Sequence, residues 1–445
     1  MLGEIVIKRN YGLATAITMI IGVVIGSGIF FKSDNILIAT NGNLLLGALV
    51  FCIAAVSIIF GSLCIAQLAS RTDKRGGIVS YLEEFCSKRL ACSIGWFHLF
   101  VYYPSLVSVV SYVAGVYVCL LFGIPGTLGM QVLFGTLLMA VLFGVNLLSA
   151  KLGGYFQNAA TVIKMIPLIV IAVLGFFFAP PDALGQLFTS GGGTGVWITA
   201  IGPIAFAFDG WIVSTSICHE IKNSKRNLPL ALTIAPLIIL VVYLAYFIGI
   251  SLLVGPDQVM ALGDAHVNVA AQQLFGEFGA KAILVFVVIS VLGTVNGLIM
   301  GMIRFPGAMA ERRMIPAPKR VMQEASHGTG ILSVGISFGL SLLWMVLHYV
   351  TQRYHLLTNS DVSEISIAVN YIAFIPLYFA VFRLKRSGEI TGKFTGYLLP
   401  LLATAGSVIV ISGSMQNPLF LLYLAICAAV VLAGALYWKF GKSVE

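Results

Sequence analysis

Stretches of about 20 apolar residues recur along this chain, each long enough to cross the ~30 Å hydrocarbon core of a bilayer. Only 10% of the 445 residues are charged, while 59% are hydrophobic. The sequence therefore predicts an all-α integral membrane protein. Its predicted spans lie at about 12–38, 44–68, 94–121, 128–149, 157–179, 197–219, 230–254, 281–304, 330–350, 364–382, 397–414 and 418–438, which makes twelve transmembrane helices.

Basic residues are sorted by loop. The chain has 26 lysine and arginine residues against 17 acidic residues, and nearly all of the basic residues fall at the termini or in alternate loops. Only Lys32, Lys281 and Arg353 fall on the opposite side. Because positively charged loops stay in the cytoplasm, both termini are predicted to be cytoplasmic in a multi-pass protein of the inner or plasma membrane. This pattern indicates membrane topology and gives no sign of a nucleic-acid partner.

The residues that usually carry catalysis or bind metals are scattered. The seven cysteines lie within or at the ends of predicted spans, and the six histidines mostly lie at span ends or in loops. We expect no structural disulfide, metal site or cofactor. Because the residues that could carry catalysis are scattered, an intramembrane enzyme is a remote alternative. A channel is equally remote, because neither a ring of like charges nor a filter loop is visible.

The first apolar segment is interrupted by Gly26-Ser27-Gly28. Glycine costs roughly 1 kcal/mol relative to alanine inside a helix, and unpaired backbone groups at bilayer depth are tolerated only beside a cavity or a ligand. A half-helix starting near Ile29 would present N–H groups to a carboxylate. The carbonyls of half-helices ending near Val24 and Phe206 would suit an ammonium group. Glycines also serve close helix packing, which is the alternative for a single break.

A second break in the sixth apolar segment favours the binding site over the packing alternative. It lies at Phe206-Ala207-Phe208-Asp209-Gly210-Trp211. Each break falls in the first span of a five-helix unit, and since five is odd, the two units must be inverted relative to each other. We therefore predict inverted repeats over residues 1–179 and 180–390, with two peripheral spans in 391–445.

Lys164 and Asp209 are the charged residues that the sequence places deep in the membrane. A lysine at a helix centre costs at least ~2.5 kcal/mol, so we expect Lys164 to bond to helix 1 carbonyls near the break and to a hydroxyl such as Ser290. Asp209 could pair with a substrate ammonium, take up a proton or face a solvated vestibule. Phe206 and Trp211 could gate the site, although aromatic residues in apolar spans usually serve packing.

These residues resemble the amino acid-polyamine-organocation superfamily. Its L-amino-acid transporter branch is indicated by the motifs Gly22-Val23-Val24-Ile25-Gly26-Ser27-Gly28-Ile29-Phe30, Phe206 to Trp211, Glu220-Ile221-Lys222-Asn223 with Pro229, Gly76-Gly77 with Tyr81-Leu82-Glu83-Glu84, and Arg304-Phe305-Pro306 to Ala310-Glu311-Arg312. The chain looks most similar to bacterial members that exchange serine, threonine, alanine and other small neutral L-amino acids.

The resemblance implies a leucine-transporter-type fold with broken helices 1 and 6, sodium-independent exchange and alternating access. It implies that Ser27 and Gly28 hold the substrate carboxylate, that Phe206 is a gate, and that Lys164 stands where sodium-coupled relatives bind a cation. The carbonyls of Val24, Phe206, Ala207 and Asp209 would receive the amino group. The whole predicted substrate-binding set is Val24, Ile25, Gly26, Ser27, Gly28, Phe206, Ala207, Phe208 and Asp209.

Two departures from the family pattern matter. The loop from Gly123 to Gly129 lacks the cysteine that joins heteromeric animal members to a glycoprotein, so no disulfide-linked heavy subunit is expected. Asp209 stands where many relatives have glycine. The leading hypothesis is an exchanger of small neutral L-amino acids of the alanine, serine, threonine or cysteine type, and not an enzyme. The alternative is a proton-coupled symporter in which Lys164 or Asp209 titrates.

Overall fold

The computed structural model describes residues 11–26, 28–31, 33–180, 197–263, 266–325, 330–357 and 361–441. Within these ranges the fold is helical, and the β-type pairing is a single parallel bridge between Tyr11 and Ile221. The prediction of an all-α fold is therefore confirmed. Ten helical segments in the described part are long and apolar enough to cross a membrane: Leu44–Ala69, Lys88–Phe122, Leu128–Leu148, Lys151–Phe177, Ser224–Val254, Lys281–Glu311, Ile331–Arg353, Glu364–Arg386, Phe394–Ser414 and Phe420–Phe440.

The helices are labelled in chain order. They are α1 Leu13–Val24, α2 Gly28–Phe31, α3 Ser33–Ala39, α4 Leu44–Ala69, α5 Ile78–Phe85, α6 Lys88–Phe97, α7 Tyr103–Phe122, α8 Leu128–Leu148, α9 Ala150–Phe177, α10 Ile201–Phe208, α11 Ser224–Val254, α12 Pro256–Leu262, α13 His266–Met302, α14 Phe305–Glu311, α15 Pro318–Ala325, α16 Ile331–Arg353, α17 Glu364–Arg386, α18 Leu399–Ser414 and α19 Phe420–Phe440. Trp197–Ala200 and Trp211–Glu220 are 3₁₀ helices, and His98–Tyr102 and Phe394–Leu398 are π-helical turns.

The first and sixth apolar segments are discontinuous. Helix α1 has 12 residues, which is about 18 Å of helix and too short to cross a bilayer alone. It ends at Val24, Ile25 has an extended backbone with φ −76° and ψ 94°, and α2 begins at Gly28. In the sixth segment, α10 ends at Phe208 and the 3₁₀ helix begins at Trp211.

Helix α1 lies inside the helical body, in contact with α9, α11, α13 and the 3₁₀ helix Trp211–Glu220. Its approach to α9 depends on a missing side chain. A β-carbon at Gly22 would lie 2.2 Å from Gln157 Nε2 and 2.3 Å from Thr161 Oγ1. Since small residues let membrane helices come close together, Gly22 allows α9 to lie directly against the helix that ends at the break.

Helices α18 and α19 pack against the rest of the body. A β-carbon at Gly406 in α18 would lie 2.5 Å from Ser57 Cα in α4, and one at Gly434 in α19 would lie 2.9 Å from Ser93 Cα in α6. The outer face of α19 exposes large apolar side chains such as Leu421. This combination of a close-packed inner face and an apolar outer face suits a helix at the lipid boundary.

Candidate functional site

The two breaks lie against each other. Gly210 has a φ of 95°, in the left-handed region that glycine adopts without strain. A β-carbon at Gly210 would lie 2.6 Å from Val23 Cγ1, in the last turn of α1. Any larger residue would therefore strain the backbone and also push the two breaks apart. Gly210 brings the end of α10 to the end of α1.

Lys164 holds the end of α1 from the side of α9. Its side chain is fully buried, and Nζ donates to Gly22 O at 2.8 Å and to Ile25 O at 2.6 Å. Carbonyls at the end of a helix have no partner in the next turn. The lysine supplies the missing donors to the last turn of α1 and to the extended residue beyond it.

The hydroxyl beside Lys164 differs from the one that we expected. Thr294 Oγ1 in α13 lies 3.2 Å from Lys164 Nζ and 3.1 Å from Gly22 O. Ser290 Oγ is buried without a hydrogen-bond partner among the described residues. Because Ser290 and Thr294 lie one helical turn apart on the same face, the sequence pattern alone could not choose between them.

Asn296 extends the polar face of α13 toward α8 and α9. Its Nδ2 donates to Gln157 Oε1 at 2.9 Å and to Gly153 O at 3.0 Å, and its Oδ1 accepts from Asn146 Nδ2 at 2.8 Å. Interhelical bonds of this kind join membrane helices. The contacts of Asn296 therefore fix three helices relative to one another around α1.

Tyr243 joins the two breaks, and the sequence analysis did not single it out. Its hydroxyl lies 3.0 Å from Val24 O and 2.8 Å from Ala207 O. One hydroxyl proton serves one acceptor well at a time, so lone pairs on these two carbonyls remain for another donor. The sequence signal was weak, because Tyr243 is one of two tyrosines in the same apolar stretch of α11, and only the structure shows which one reaches the breaks.

Asp209 is already held by two neighbours. Its Oδ2 accepts from the Tyr102 hydroxyl at 2.8 Å, and its Oδ1 accepts from Asn370 Nδ2 at 3.4 Å. Tyr102 belongs to the π-helical turn before α7, and Asn370 belongs to α17. The carboxyl group therefore ties the second break to two further helices, and only 6% of the residue surface is exposed.

A cavity of about 50 Å³ lies where the two breaks meet. Since one water needs roughly 10–15 Å³ of such volume, the space suits a few small polar or apolar groups. Helix α7 and helix α13 complete the wall on the sides away from the breaks. The lining residues are Val23, Val24, Gly26, Gly28, Leu106, Val110, Ala207, Asp209, Gly210, Thr294 and Leu298.

The structure separates the predicted site residues into groups. Val24, Gly26, Gly28, Ala207 and Asp209 line the cavity, and Ile25 contributes its carbonyl to Lys164. Ser27 and the side chain of Phe206 lie outside the described part of the chain.

Phe208 and Trp211 do not line this cavity. The centroid of the Phe208 ring lies 5.0 Å from that of Tyr243 and 6.4 Å from that of Phe51. Trp211 packs against Phe374 at 5.2 Å, and both side chains are fully buried. In this structure they are packing residues, and the gating role of Trp211 stays a prediction.

A buried ion pair closes the end of the molecule that is predicted to be cytoplasmic. Arg304 binds Glu220 through both Nε and Nη2, with 3.0 Å from Nη2 to Oε2. Arg304 Nη2 also lies 3.3 Å from the Tyr11 hydroxyl, and Tyr11 N donates to Glu220 O at 3.1 Å. The start of α1, the end of the 3₁₀ helix and the turn before α14 therefore meet at one point.

Two further ion pairs surround this point. Arg312 Nε lies 2.6 Å from Glu83 Oε2, and Arg75 Nη1 lies 3.0 Å from Glu311 Oε1. They join α14 to α5 and to the loop before it. The motifs that carry the family resemblance contain Glu83, Glu220, Arg304, Glu311 and Arg312, and in the structure these residues pair with one another or with Arg75.

Comparison with known proteins identifies the family. The sequence model of amino acid permeases matches residues 11–419. This chain belongs to the amino acid permease family. It is thus a multi-pass membrane protein of the amino acid-polyamine-organocation superfamily, and its family consists of transporters, not enzymes. Among the described residues, no cluster of three or more histidine, cysteine, aspartate or glutamate side chains could hold a metal ion.

Individual relatives agree with the family. The serine/threonine exchanger SteT of Bacillus subtilis is 29% identical over 426 residues, which cover 92% of this chain and 92% of that protein. The Asc-type amino acid transporter 1 of Homo sapiens is 26% identical over 84% of this chain and 69% of its own length. The b(0,+)-type amino acid transporter 1 of Mus musculus is 28% identical over 65% of this chain, a match that spans 60% of the mouse protein.

Proposed function

We propose that this permease exchanges small neutral L-amino acids across the cell membrane without sodium, by alternating access. The observation that carries the proposal is the cavity of about 50 Å³ between the two breaks, with Gly26, Gly28, Ala207 and Gly210 in its wall. Its size favours substrates with small side chains. The similarity to a bacterial exchanger of serine and threonine over 92% of both chains supports the same substrate class.

In the proposed site, the substrate carboxylate binds at Ser27 and Gly28, where α2 begins. The amino group donates to the backbone carbonyl oxygens of Val24, Phe206, Ala207 and Asp209. The Phe206 ring closes over the bound substrate. The support is that α2 begins at Gly28 and that the Val24 and Ala207 carbonyls point to a common donor, Tyr243.

The position of Lys164 supports the proposal of sodium independence. A bound cation at the end of α1 would need the carbonyl oxygens of Gly22 and Ile25 as ligands. Lys164 Nζ lies 2.8 Å and 2.6 Å from those two oxygens. The protein's own amine occupies the place of the ion and couples α1 to α9 and, through Thr294, to α13.

The architecture that we propose has twelve transmembrane helices. Two inverted repeats comprise residues 1–179 and 180–390, the broken segments are helices 1 and 6, and residues 391–445 form a peripheral pair. Both termini face the cytoplasm. The two discontinuous segments and the ten long apolar helices support this arrangement. Rocking of the two broken helices would then open the cavity to each side in turn.

Transport by proteoliposomes at clamped pH tests the function. Vesicles loaded with unlabelled serine should take up labelled serine at least about tenfold faster than empty vesicles, with no effect of a proton gradient. A panel of twenty competing amino acids should show strongest competition by alanine, serine, threonine and cysteine. The runner-up, a proton-coupled symporter, is favoured by the carboxyl group of Asp209 in the cavity wall. Rapid uptake into empty vesicles that requires a proton gradient would establish the symporter instead.

A further inference from the structure

A second, larger crevice lies between α17 and α18, and none of its lining residues belongs to the proposed substrate site. Its volume is about 440 Å³. Most of the wall is aromatic or aliphatic, and several lining residues are exposed, among them Phe379 at 61% and Leu401 at 65%. The lining residues are Tyr378, Phe379, Phe382, Tyr397, Leu398, Pro400, Leu401 and Thr404. An apolar crevice that opens outward from a membrane protein opens into lipid.

Cations lie on the aromatic rings at one end of the crevice. Lys385 Nζ is 5.7 Å from the centroid of the Tyr397 ring, and Arg386 Cζ is 4.8 Å from the centroid of the Phe382 ring. Lys393 is exposed directly before the π-helical turn Phe394–Leu398. Lys385, Arg386 and Lys393 are called the basic rim below.

One acidic residue, Glu389, lies between the three cations of the basic rim in the sequence. Glu389 Oε2 lies 4.0 Å from Arg71 Nε, on a different loop. Lys385 Nζ donates to Thr391 O at 2.8 Å and keeps further protons for another acceptor. The rim therefore presents a net positive charge to a ligand in the crevice.

The distances along the helices match the geometry of a phospholipid. At 1.5 Å per residue, Arg386 lies about 6 Å beyond Phe382 and about 10 Å beyond Phe379 along α17. The backbone positions of the rim and of the apolar crevice are thus offset along α17, as a phosphate group is offset from the upper part of an acyl chain. The rim also lies on the side that the distribution of basic residues assigns to the cytoplasm, where anionic lipids attract basic clusters.

We propose that this crevice binds one anionic phospholipid. An acyl chain lies between Phe379 and Leu401, and the phosphate group lies against the basic rim. The lipid would join α17 to α18, the first of the two helices that follow the proposed repeats. The positive charge of the basic rim attracts an anionic phospholipid more strongly than a zwitterionic lipid or an uncharged detergent, and this difference in affinity identifies the ligand class.

Native mass spectrometry of the purified full-length protein tests the proposal. Phosphatidylglycerol and phosphatidylcholine with identical acyl chains are added separately, and bound lipid is counted. Wild-type protein should retain one phosphatidylglycerol with at least about fivefold preference over phosphatidylcholine. The triple variant Lys385→Gln, Arg386→Gln, Lys393→Gln should bind both lipids equally. Equal binding by the wild type, or an unchanged preference in this variant, would overturn the proposal.

Two controls separate the crevice from general charge attraction. The variant Lys222→Gln, Lys225→Gln, Arg226→Gln removes three exposed charges from the start of α11 and the turn before it, and it should keep the preference. Thr404→Phe fills the crevice and should weaken retention of both lipids severalfold, while Val408→Phe, one turn further along α18 at a residue 50% exposed, should not. Loss of preference in the first control, or equal retention by both phenylalanine variants, would also contradict the site.

Discussion

Lys164 is the residue on which the end of α1 depends most. It is fully buried and supplies donors to both Gly22 O and Ile25 O. A buried carbonyl that loses its partner costs about 1–3 kcal/mol. Without Lys164, the last turn of α1 loses its contact with the amine of α9 and keeps the hydroxyls of Thr294 and Tyr243 as donors.

Lys164→Ala should reduce serine exchange to less than about a tenth of the wild-type rate, because the end of α1 is no longer held in position. The measurement is counterflow in proteoliposomes, with size-exclusion chromatography to show that the variant inserts and folds. Lys151→Ala is the matched control, since Lys151 is exposed on the same helix. Wild-type exchange by a correctly folded Lys164→Ala variant would remove the anchoring role.

Tyr243→Phe removes the hydroxyl that bridges Val24 and Ala207 but keeps the ring, which packs against Phe208 at 5.0 Å. A net hydrogen bond contributes about 0.5–1.5 kcal/mol, so the exchange rate should fall severalfold, up to about tenfold. Initial rates over a range of serine concentrations measure the effect. Tyr155→Phe, at a ring 69% exposed on α9, should have no effect, and an equal loss in both variants would show that the bridge is unimportant.

The residue types at the site were partly predictable from the sequence. Two glycines around Ser27 mark a break at bilayer depth, and a lone lysine in an apolar span needs acceptors, so a bond from Lys164 to helix 1 could be inferred from sequence. The choice of Thr294 over Ser290 could not, because it depends on how far α13 is shifted along α9. Tyr243 was missed because α11 carries two tyrosines in one apolar stretch, and the sequence gives no sign of the direction in which either hydroxyl points.

At the scale of elements, the two discontinuous segments meet twice. They meet once at the cavity, and again where Tyr11 at the start of α1 pairs with Ile221 beyond the 3₁₀ helix. The Glu220–Arg304 pair lies at this second contact, with Glu220 and Arg304 almost fully buried. We infer that this contact must open when the cavity faces the side predicted to be cytoplasmic.

The strength of this contact can be measured by a double-mutant cycle. Glu220→Gln and Arg304→Gln should each lower thermal stability. Removing one partner of a buried ion pair leaves the other charge buried without compensation, which costs about 3–5 kcal/mol of folding free energy. The double variant should recover part of the loss. The more exposed pair Lys74–Glu84, 3.3 Å apart, is the control, and its coupling should be about 0–1 kcal/mol. Strictly additive effects at Glu220 and Arg304 would mean that the pair does not hold the contact.

Helix boundaries were less predictable than the existence of the helices. The third span was predicted over 94–121, but its helical segment runs from Lys88 to Phe122. Hydropathy marks the part of a helix inside the hydrocarbon, whereas backbone bonds continue through charged residues such as Lys88 and Arg89 into the interface. The apolar pattern of the sequence gives no sign of the π-helical turn that places the Tyr102 hydroxyl beside Asp209.

At the scale of the whole molecule, the proposed transport cycle needs one small site and two ends that open in turn. The cavity lies between the breaks, and ion pairs close one end through Glu220, Arg304, Glu83 and Arg312. That the chain is a membrane protein could be predicted from its composition, because so few charged residues cannot cover the surface of a soluble protein of 445 residues. The cavity between the breaks could not be predicted, since its volume depends on side chains from helices far apart in sequence, such as Val110 and Leu298.

The most direct test of the account is the position of bound L-serine in the protein, determined by electron microscopy in lipid nanodiscs. We predict density inside the cavity, with the carboxylate at the start of α2 beside Gly28 and the amino group near the carbonyls of Val24 and Ala207. Density for serine elsewhere in the protein, with this cavity empty, would contradict the account.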